Sequence, residues 1–119
     1  MGIKNLTNDV LFVELPSKGS KITAQLMAVN EAVSRNGDQD VIIDFSRVEI
    51  INSANISNLL ILHKLQEGCG RQLVLCNVST VTKCIFVVAG LNTVFNFVDS
   101  RSKALEAVAD GNDSEGPDG

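Results

Sequence analysis

The chain of 119 residues is long enough for one domain with a hydrophobic core, and 45% of its residues are apolar. It contains five Phe but no Trp or Tyr, so we expect a mainly aliphatic core. The formal net charge is −4, but removing the four acids of residues 110–119 from the total of 14 leaves ten acids and ten bases in residues 1–109. The bases are not clustered, which excludes a nucleic-acid interface, and no apolar run comes near the ~18 residues of a membrane-spanning helix.

The first half of the chain predicts two strands with a helix between them. Residues 10–15 (VLFVEL) form a short apolar run that ends at Pro16, as a strand does before a turn. Ser20 or Thr23 is suited to cap a helix, in which apolar residues recur at helical spacing at Ile22, Leu26, Val29 and Val33. Residues 41–45 are almost continuously apolar, which is typical of a strand covered on both faces.

The second half predicts three more helices and two more strands. In chain order these are a helix at residues 54–67, a strand at 73–76, a helix at 79–89, a strand at 94–98, and a helix at 103–109 with Leu105 and Val108 facing inward. Such alternation implies helices packed on a mainly parallel sheet. We therefore predict a single α/β domain over residues 1–109, with four or five strands and about four helices.

Residues 110–119 (DGNDSEGPDG) are predicted to form a disordered acidic tail, because Gly, Asp, Ser and Pro cannot bury apolar surface. The first ten residues lack the apolar segment of a secretory signal. Cys69, Cys76 and Cys84 have no Cys-x-x-Cys spacing, and with one histidine, His63, they do not form a zinc set. We expect reduced thiols in a cytoplasmic protein, without a metal or cofactor.

Polar residues that suit a helix start follow the strand at residues 41–45. Ser and Asn side chains at positions 52–55 can satisfy the free N–H groups of a first helical turn. His63 is expected to pack beside the apolar face of that helix, and Asp44 is expected to cap the turn after its strand. No catalytic residue is predicted, and the polar cluster favours recognition over catalysis.

The same helix carries more apolar residues than one face requires. We expect Ile56, Leu59 and Leu60 to face the sheet and Ile61, Leu62 and Leu65 to lie on the opposite side. An apolar outer face is typical of a partner surface, although a neighbouring helix could also cover it. Both interpretations remain open from the sequence.

Residues 41–60 (VIIDFSRVEIINSANISNLL) resemble the phosphorylation loop of the STAS domain, the fold of bacterial anti-sigma factor antagonists. In that family a strand end carries Asp-Ser-Ser/Thr-Gly-Leu, and the second hydroxyl of the pair is phosphorylated. The aligned positions here are Asn52, Ser53, Ala54, Asn55 and Ile56. Residues 70–76 (GRQLVLC) and 89–108 (AGLNTVFNFVDSRSKALEAV) are similar to the family's central strand and ending, so the resemblance covers about two-thirds of the chain.

The resemblance implies a cytoplasmic switch protein that docks on an anti-sigma factor, often a serine kinase of the histidine-kinase-like ATPase fold. The usual acid is replaced by Asn52, the usual glycine by Asn55, and the usual phospho-acceptor by Ala54, which has no hydroxyl. We therefore expect a binding module that is not phosphorylated at the usual site, with Ser53 and Ser57 as the remaining candidate acceptors.

The predicted partner-binding residues are Asn52, Ser53, Ala54, Asn55, Ile56, Ser57 and Ile61. Two alternative functions use the same fold: a non-catalytic subunit of a lipid-transporting ABC system, and a scaffold subunit of a sensory assembly. Whether the chain forms a homodimer stays open from the sequence.

Overall fold

The computed structural model describes residues 2–7 and 9–113. Their elements alternate along the chain as the sequence predicts, after one additional strand at the start. In order they are β1 (Ile3–Thr7), β2 (Val10–Glu14), α1 (Gly19–Arg35), β3 (Asp40–Asp44), α2 (Ser53–Cys69), β4 (Leu73–Cys76), α3 (Thr80–Val88), β5 (Asn96–Val98) and α4 (Arg101–Asp113).

The five strands form one sheet in the order β1-β2-β3-β4-β5. The pairs from β2 to β5 are parallel, whereas β1 pairs antiparallel with β2, so the sheet is mixed and mainly parallel. This confirms the predicted fold class. The strand β1 has no counterpart among the predicted strands, because it is mostly exposed and lacks an apolar run.

Helices cover both faces of the sheet. On one face α1, α2 and α3 pack over the larger core, in which all four predicted α1 residues, Ile22, Leu26, Val29 and Val33, are buried. On the other face α4 packs over a smaller cluster through Ala104 and Val108. The predicted inward role of Leu105 is wrong, since 37% of this residue is exposed and Ala104 occupies the buried position instead.

The buried stripe of α2 differs from the predicted one. It consists of Asn55, Leu59, Leu62 and Gln66, at spacings of three and four residues. Leu62, which the sequence places on the side away from the sheet, is fully buried, because α1 packs against α2. Ile61 remains 49% exposed. A neighbouring helix therefore covers much of the surface that the sequence left open to a partner.

The end of α4 lies beyond the predicted helix boundary. The helix continues to Asp113, so the first four residues of the predicted tail belong to it. The remaining part of that prediction, residues 114–119, lies outside the described residues.

Phe86 is the centre of the aromatic part of the larger core. Its ring is fully buried and meets Phe97, Phe95 and Phe45 edge-on, with ring centroids 5.3, 5.5 and 6.4 Å away. These contacts fasten the short helix α3 to the sheet, because edge-to-face pairs add to the stabilisation from burial.

We expect Phe86→Ala to lower the free energy of unfolding by about 3–5 kcal/mol, since it leaves a cavity where three rings meet. Val88→Ala on the same helix is the matched control: Val88 is 86% exposed, and its loss should change stability by less than about 0.5 kcal/mol. Chemical denaturation followed by circular dichroism measures both. Equal effects of the two substitutions would contradict this description of the core.

Candidate partner-docking site

The candidate site lies at the sheet edge where the parallel strands end. The register aligns Glu14 of β2, Asp44 of β3 and Cys76 of β4, so the chain leaves these three strands at the same edge. Beyond the strand ends, the Phe45 N–H donates to the Cys76 carbonyl at 3.0 Å. The loop at residues 45–52 therefore starts from a fixed position before it enters α2.

Asp44 organises the first turn of this loop. Its carboxylate, which is nearly buried, accepts hydrogen bonds from the Ser46 backbone N–H at 2.9 Å and from the Ser46 hydroxyl at 3.1 Å. It also accepts one from the Asn77 amide at 2.9 Å, across from the end of β4. Asn77 has a φ of 59°, in the left-handed region that Asn tolerates better than most residues. The predicted capping role of Asp44 is confirmed, and a link to the neighbouring strand end accompanies it.

The start of α2 is closed by two asparagines. The Asn55 N–H donates to Asn52 Oδ1 and the Asn52 N–H donates to Asn55 Oδ1, both at 2.9 Å, which forms a reciprocal capping box. Asn52 is the N-cap residue, and Ser53 is the first residue of the helix. The cap leaves the first-turn N–H groups of Ser53 and Ala54 without an intrahelical acceptor.

Asn55 points into the protein rather than toward a partner. The residue is fully buried, and its Nδ2 donates to the Gly19 carbonyl at 3.0 Å and to Thr23 Oγ1 at 2.8 Å. Its side chain therefore joins the start of α2 to the start of α1. Although it belongs to the predicted partner-binding set, its side chain is unavailable for direct contact and instead positions the residues around it.

The other predicted partner-binding residues are accessible to different degrees. Asn52, Ser53, Ala54 and Ser57 are exposed, Ile56 is half-buried against the core, and Ile61 is about half-exposed one turn further along α2. There is no acidic residue in the first turn of α2. The site is therefore an uncharged, capped helix start whose exposed side chains are small.

Among the described residues, no group of three or more His, Cys, Asp or Glu side chains is arranged to hold a metal ion. His63 packs edge-on against Phe95 with the ring centroids 5.7 Å apart, as expected for a packed residue. In the part of the chain that the structure describes, no helix is both long and apolar enough to cross a membrane.

Comparison with known proteins assigns this architecture. The family model of the STAS domain matches residues 8–104, most of the chain. The chain belongs to the STAS domain family. It is an anti-sigma factor antagonist-like STAS domain.

Individual relatives agree with this assignment. The chain is 29% identical over 83 residues to BtrV of Bordetella bronchiseptica, a candidate anti-sigma factor antagonist, covering 70% of this chain and 72% of BtrV. The unphosphorylated anti-sigma factor antagonist SpoIIAA of Bacillus shares the fold with a TM-score of 0.76 at 15% identity, over 91% of this chain and 95% of SpoIIAA. A sulfate transporter family protein of Wolinella succinogenes has a TM-score of 0.78 at 18% identity, over 92% and 93% of the two chains. At such low identity the two structures show the fold alone, which proteins of different function share.

Cys76, at the end of β4, is chemically shielded beside this site. Burial, the largest cause, together with the nearby Asp44 carboxylate raises the pKa of its thiol to about 12, and Arg101 partly opposes this rise. Because the thiolate is the reactive form, the folded protein should keep this group unreactive well above neutral pH.

We expect iodoacetamide at pH 8 to modify the exposed Cys69 and Cys84 in the folded protein and Cys76 only after denaturation. Mass spectrometry of the alkylated peptides gives the extent of modification at each thiol. A Cys76→Ser variant, with the same labelling stoichiometry as the unsubstituted chain when folded, is the control. Native labelling of Cys76 as fast as that of Cys84 would contradict the burial described here.

Proposed function

We propose that the chain is a regulatory binding module that docks on an anti-sigma factor with a kinase-like ATPase fold, in the cytoplasm. The docking surface consists of Asn52, Ser53, Ala54, Ile56, Ser57 and Ile61, with Asn55 as its internal support. The observation that carries the proposal is the exposed, capped start of α2, whose sequence resembles the phosphorylation loop of the STAS family.

The chemistry of this surface suits a partner that offers hydrogen-bond acceptors. The N-terminus of a helix carries a partial positive charge, and the exposed first turn retains free N–H donors. This charge is not compensated, because the N-cap residue Asn52 is neutral and the first turn of α2 contains no acidic residue. A carboxylate or carbonyl of the partner can therefore approach the turn without meeting a negative charge.

The same surface lacks the usual means of switching. Phosphorylation at the helix start would add ~1.5–2 negative charges and repel an acidic partner, but Ala54 offers no oxygen to phosphorylate. Ser53 and Ser57 are both exposed, one on each side of Ala54. We infer that the domain is constitutively competent to bind, or is controlled by a signal other than phosphorylation of this loop.

A docking subunit of a lipid-transporting ABC system and a scaffold subunit of a sensory assembly would also use a loop without a phospho-acceptor. These alternatives differ from the leading proposal in the partner, which is an ATPase subunit of a transporter in the first case and further copies of STAS proteins in the second. Identifying the protein that co-purifies with the chain therefore distinguishes these functions.

We expect Ala54→Asp to weaken partner binding by roughly tenfold or more, because it places a charge at the centre of the docking surface. The fold should be retained, since an acid in the first turn of a helix is favourable. Ala109→Asp adds the same charge to an exposed position of α4, on the opposite side of the sheet, and serves as the matched control. Affinity purification from the native cell with quantitative mass spectrometry compares the two variants with the unsubstituted chain.

The proposal predicts that a kinase-fold anti-sigma factor is recovered with the unsubstituted chain and with Ala109→Asp but is lost with Ala54→Asp. Recovery of transporter subunits, of self-copies alone, or of the same anti-sigma factor with Ala54→Asp would overturn it. Circular dichroism of each variant separates loss of binding from loss of fold.

We also expect Ser53 and Ser57 to remain unphosphorylated in the native cell, because neither occupies the usual acceptor position. Phosphopeptide mass spectrometry of the purified chain, compared with Ala54→Ser as a variant that restores the hydroxyl, checks this. Stoichiometric phosphate on Ser53 in the unsubstituted chain would contradict the inferred absence of a phospho-switch.

A further inference from the structure

A seam of polar side chains lies between α1 and α2, where two packed helices usually bury apolar residues. We call it the asparagine seam; its members are Thr23, Asn30, Asn55 and Asn58. Asn30 Nδ2 donates to the Asn58 carbonyl at 3.1 Å and approaches Asn58 Oδ1 at 3.4 Å. Asn58 Nδ2 in turn donates to the Ala54 carbonyl at 2.9 Å. The seam therefore connects α1 with the first two turns of α2.

Both polar atoms of the Asn55 side-chain amide have hydrogen-bond partners. Its Oδ1 accepts from the Asn52 N–H, and its two Nδ2 protons go to the Gly19 carbonyl and to Thr23 Oγ1. One side chain thus takes part both in the cap of α2 and in the contact between α2 and α1. Because the residue is fully buried, losing one of these partners would leave a polar group without compensation from water.

The backbone of α1 is shaped for this approach. A Cβ placed on Gly19 would lie 2.7 Å from Asn52 Nδ2, so a side chain at this position would require the Asn52 side chain to shift. The first residue of α1 and the N-cap residue of α2 are therefore in close contact, in addition to the hydrogen bonds of Asn55.

We propose that Asn55 is a positioning residue that fixes the docking surface by tying the start of α2 to the start of α1. This inference rests on the proposed function, because it concerns the same exposed turn. A glycine at position 55, which the family signature carries, has no side chain to form the three hydrogen bonds of this amide. In this chain α1 therefore sets the orientation of the docking turn.

The test uses the free chain and measures amide hydrogen exchange by NMR in Thr23→Val and Asn55→Ala. Thr23→Val keeps the shape of the side chain and removes the hydroxyl that receives Asn55 Nδ2. We expect exchange at the Asn52 and Asn55 N–H groups to become about tenfold faster in Thr23→Val and faster still in Asn55→Ala. Exchange at Ile42 and Ile43 in the centre of the sheet should stay unchanged in Thr23→Val.

Ser20→Ala, an exposed substitution in the same turn of α1, is the control and should change neither set of amides. Unchanged exchange at Asn52 and Asn55 in Thr23→Val would overturn the proposal. So would an equal increase at Ile43, since that pattern shows general destabilisation rather than local positioning. If Asn55→Ala does not fold, Thr23→Val alone decides.

No partner takes part in this experiment, so its result is independent of the docking assay. Faster exchange at Asn52 and Asn55 in Thr23→Val, together with loss of the partner in Ala54→Asp, would support both proposals. Normal exchange in Thr23→Val with a partner lost by Ala54→Asp would remove the positioning role and leave the proposed function in place.

Discussion

The proposed docking turn depends on one buried amide, that of Asn55, which lies inside the α1–α2 contact and completes the cap of α2. A helix start is a poor docking surface if its first turn frays, because the partner must then order the turn at the expense of binding free energy. Here the turn is held from within by a buried side chain, that of Asn55. The exposed atoms around Ala54 are therefore presented in one arrangement before any encounter.

The sheet supports the same end of the molecule. Parallel strands place their carboxyl ends at one edge, and Asp44 links the turn after β3 to Asn77 after β4. Removing such a shared carboxylate would leave several backbone and side-chain donors unsatisfied, which costs more than a single hydrogen bond contributes. The loop before α2 is thus anchored at its beginning by Asp44 and at its end by Asn52 and Asn55.

Most of the fold could be predicted from the sequence, because the core residues recur at the spacings typical of helices and buried strands. The apolar spacing of α1 and the continuous apolar runs of β3 and β4 correspond to residues that the structure buries. The apolar pattern does not predict the positions at which a polar residue is buried. Asn55 and Gln66 are both buried in α2 because they hydrogen-bond to backbone carbonyls of other segments, and those partners are invisible in a hydropathy pattern. Omitting them rotates the predicted stripe and leaves Leu62 on the wrong side.

For the site, the resemblance to the STAS phosphorylation loop grouped Asn55 with the surface residues, whereas the structure buries it. The spacing Asn52-x-x-Asn55 could have revealed the capping box, since Asn at the N-cap and a polar residue at the third helical position form such a pair. The contacts with Gly19 and Thr23 could not have been found in this way. They join residues 32 and 36 positions apart and depend on how closely the two helices pack.

The most direct measurement is photo-crosslinking in the native cell from a benzoylphenylalanine placed at Ser57, beside the exposed turn, and separately at Ala109 on α4. The account predicts that Ser57 crosslinks to an anti-sigma factor of the kinase-like ATPase fold and that Ala109 does not. A crosslink to that protein from Ala109 alone, or a crosslink from Ser57 to a transporter subunit, would contradict it.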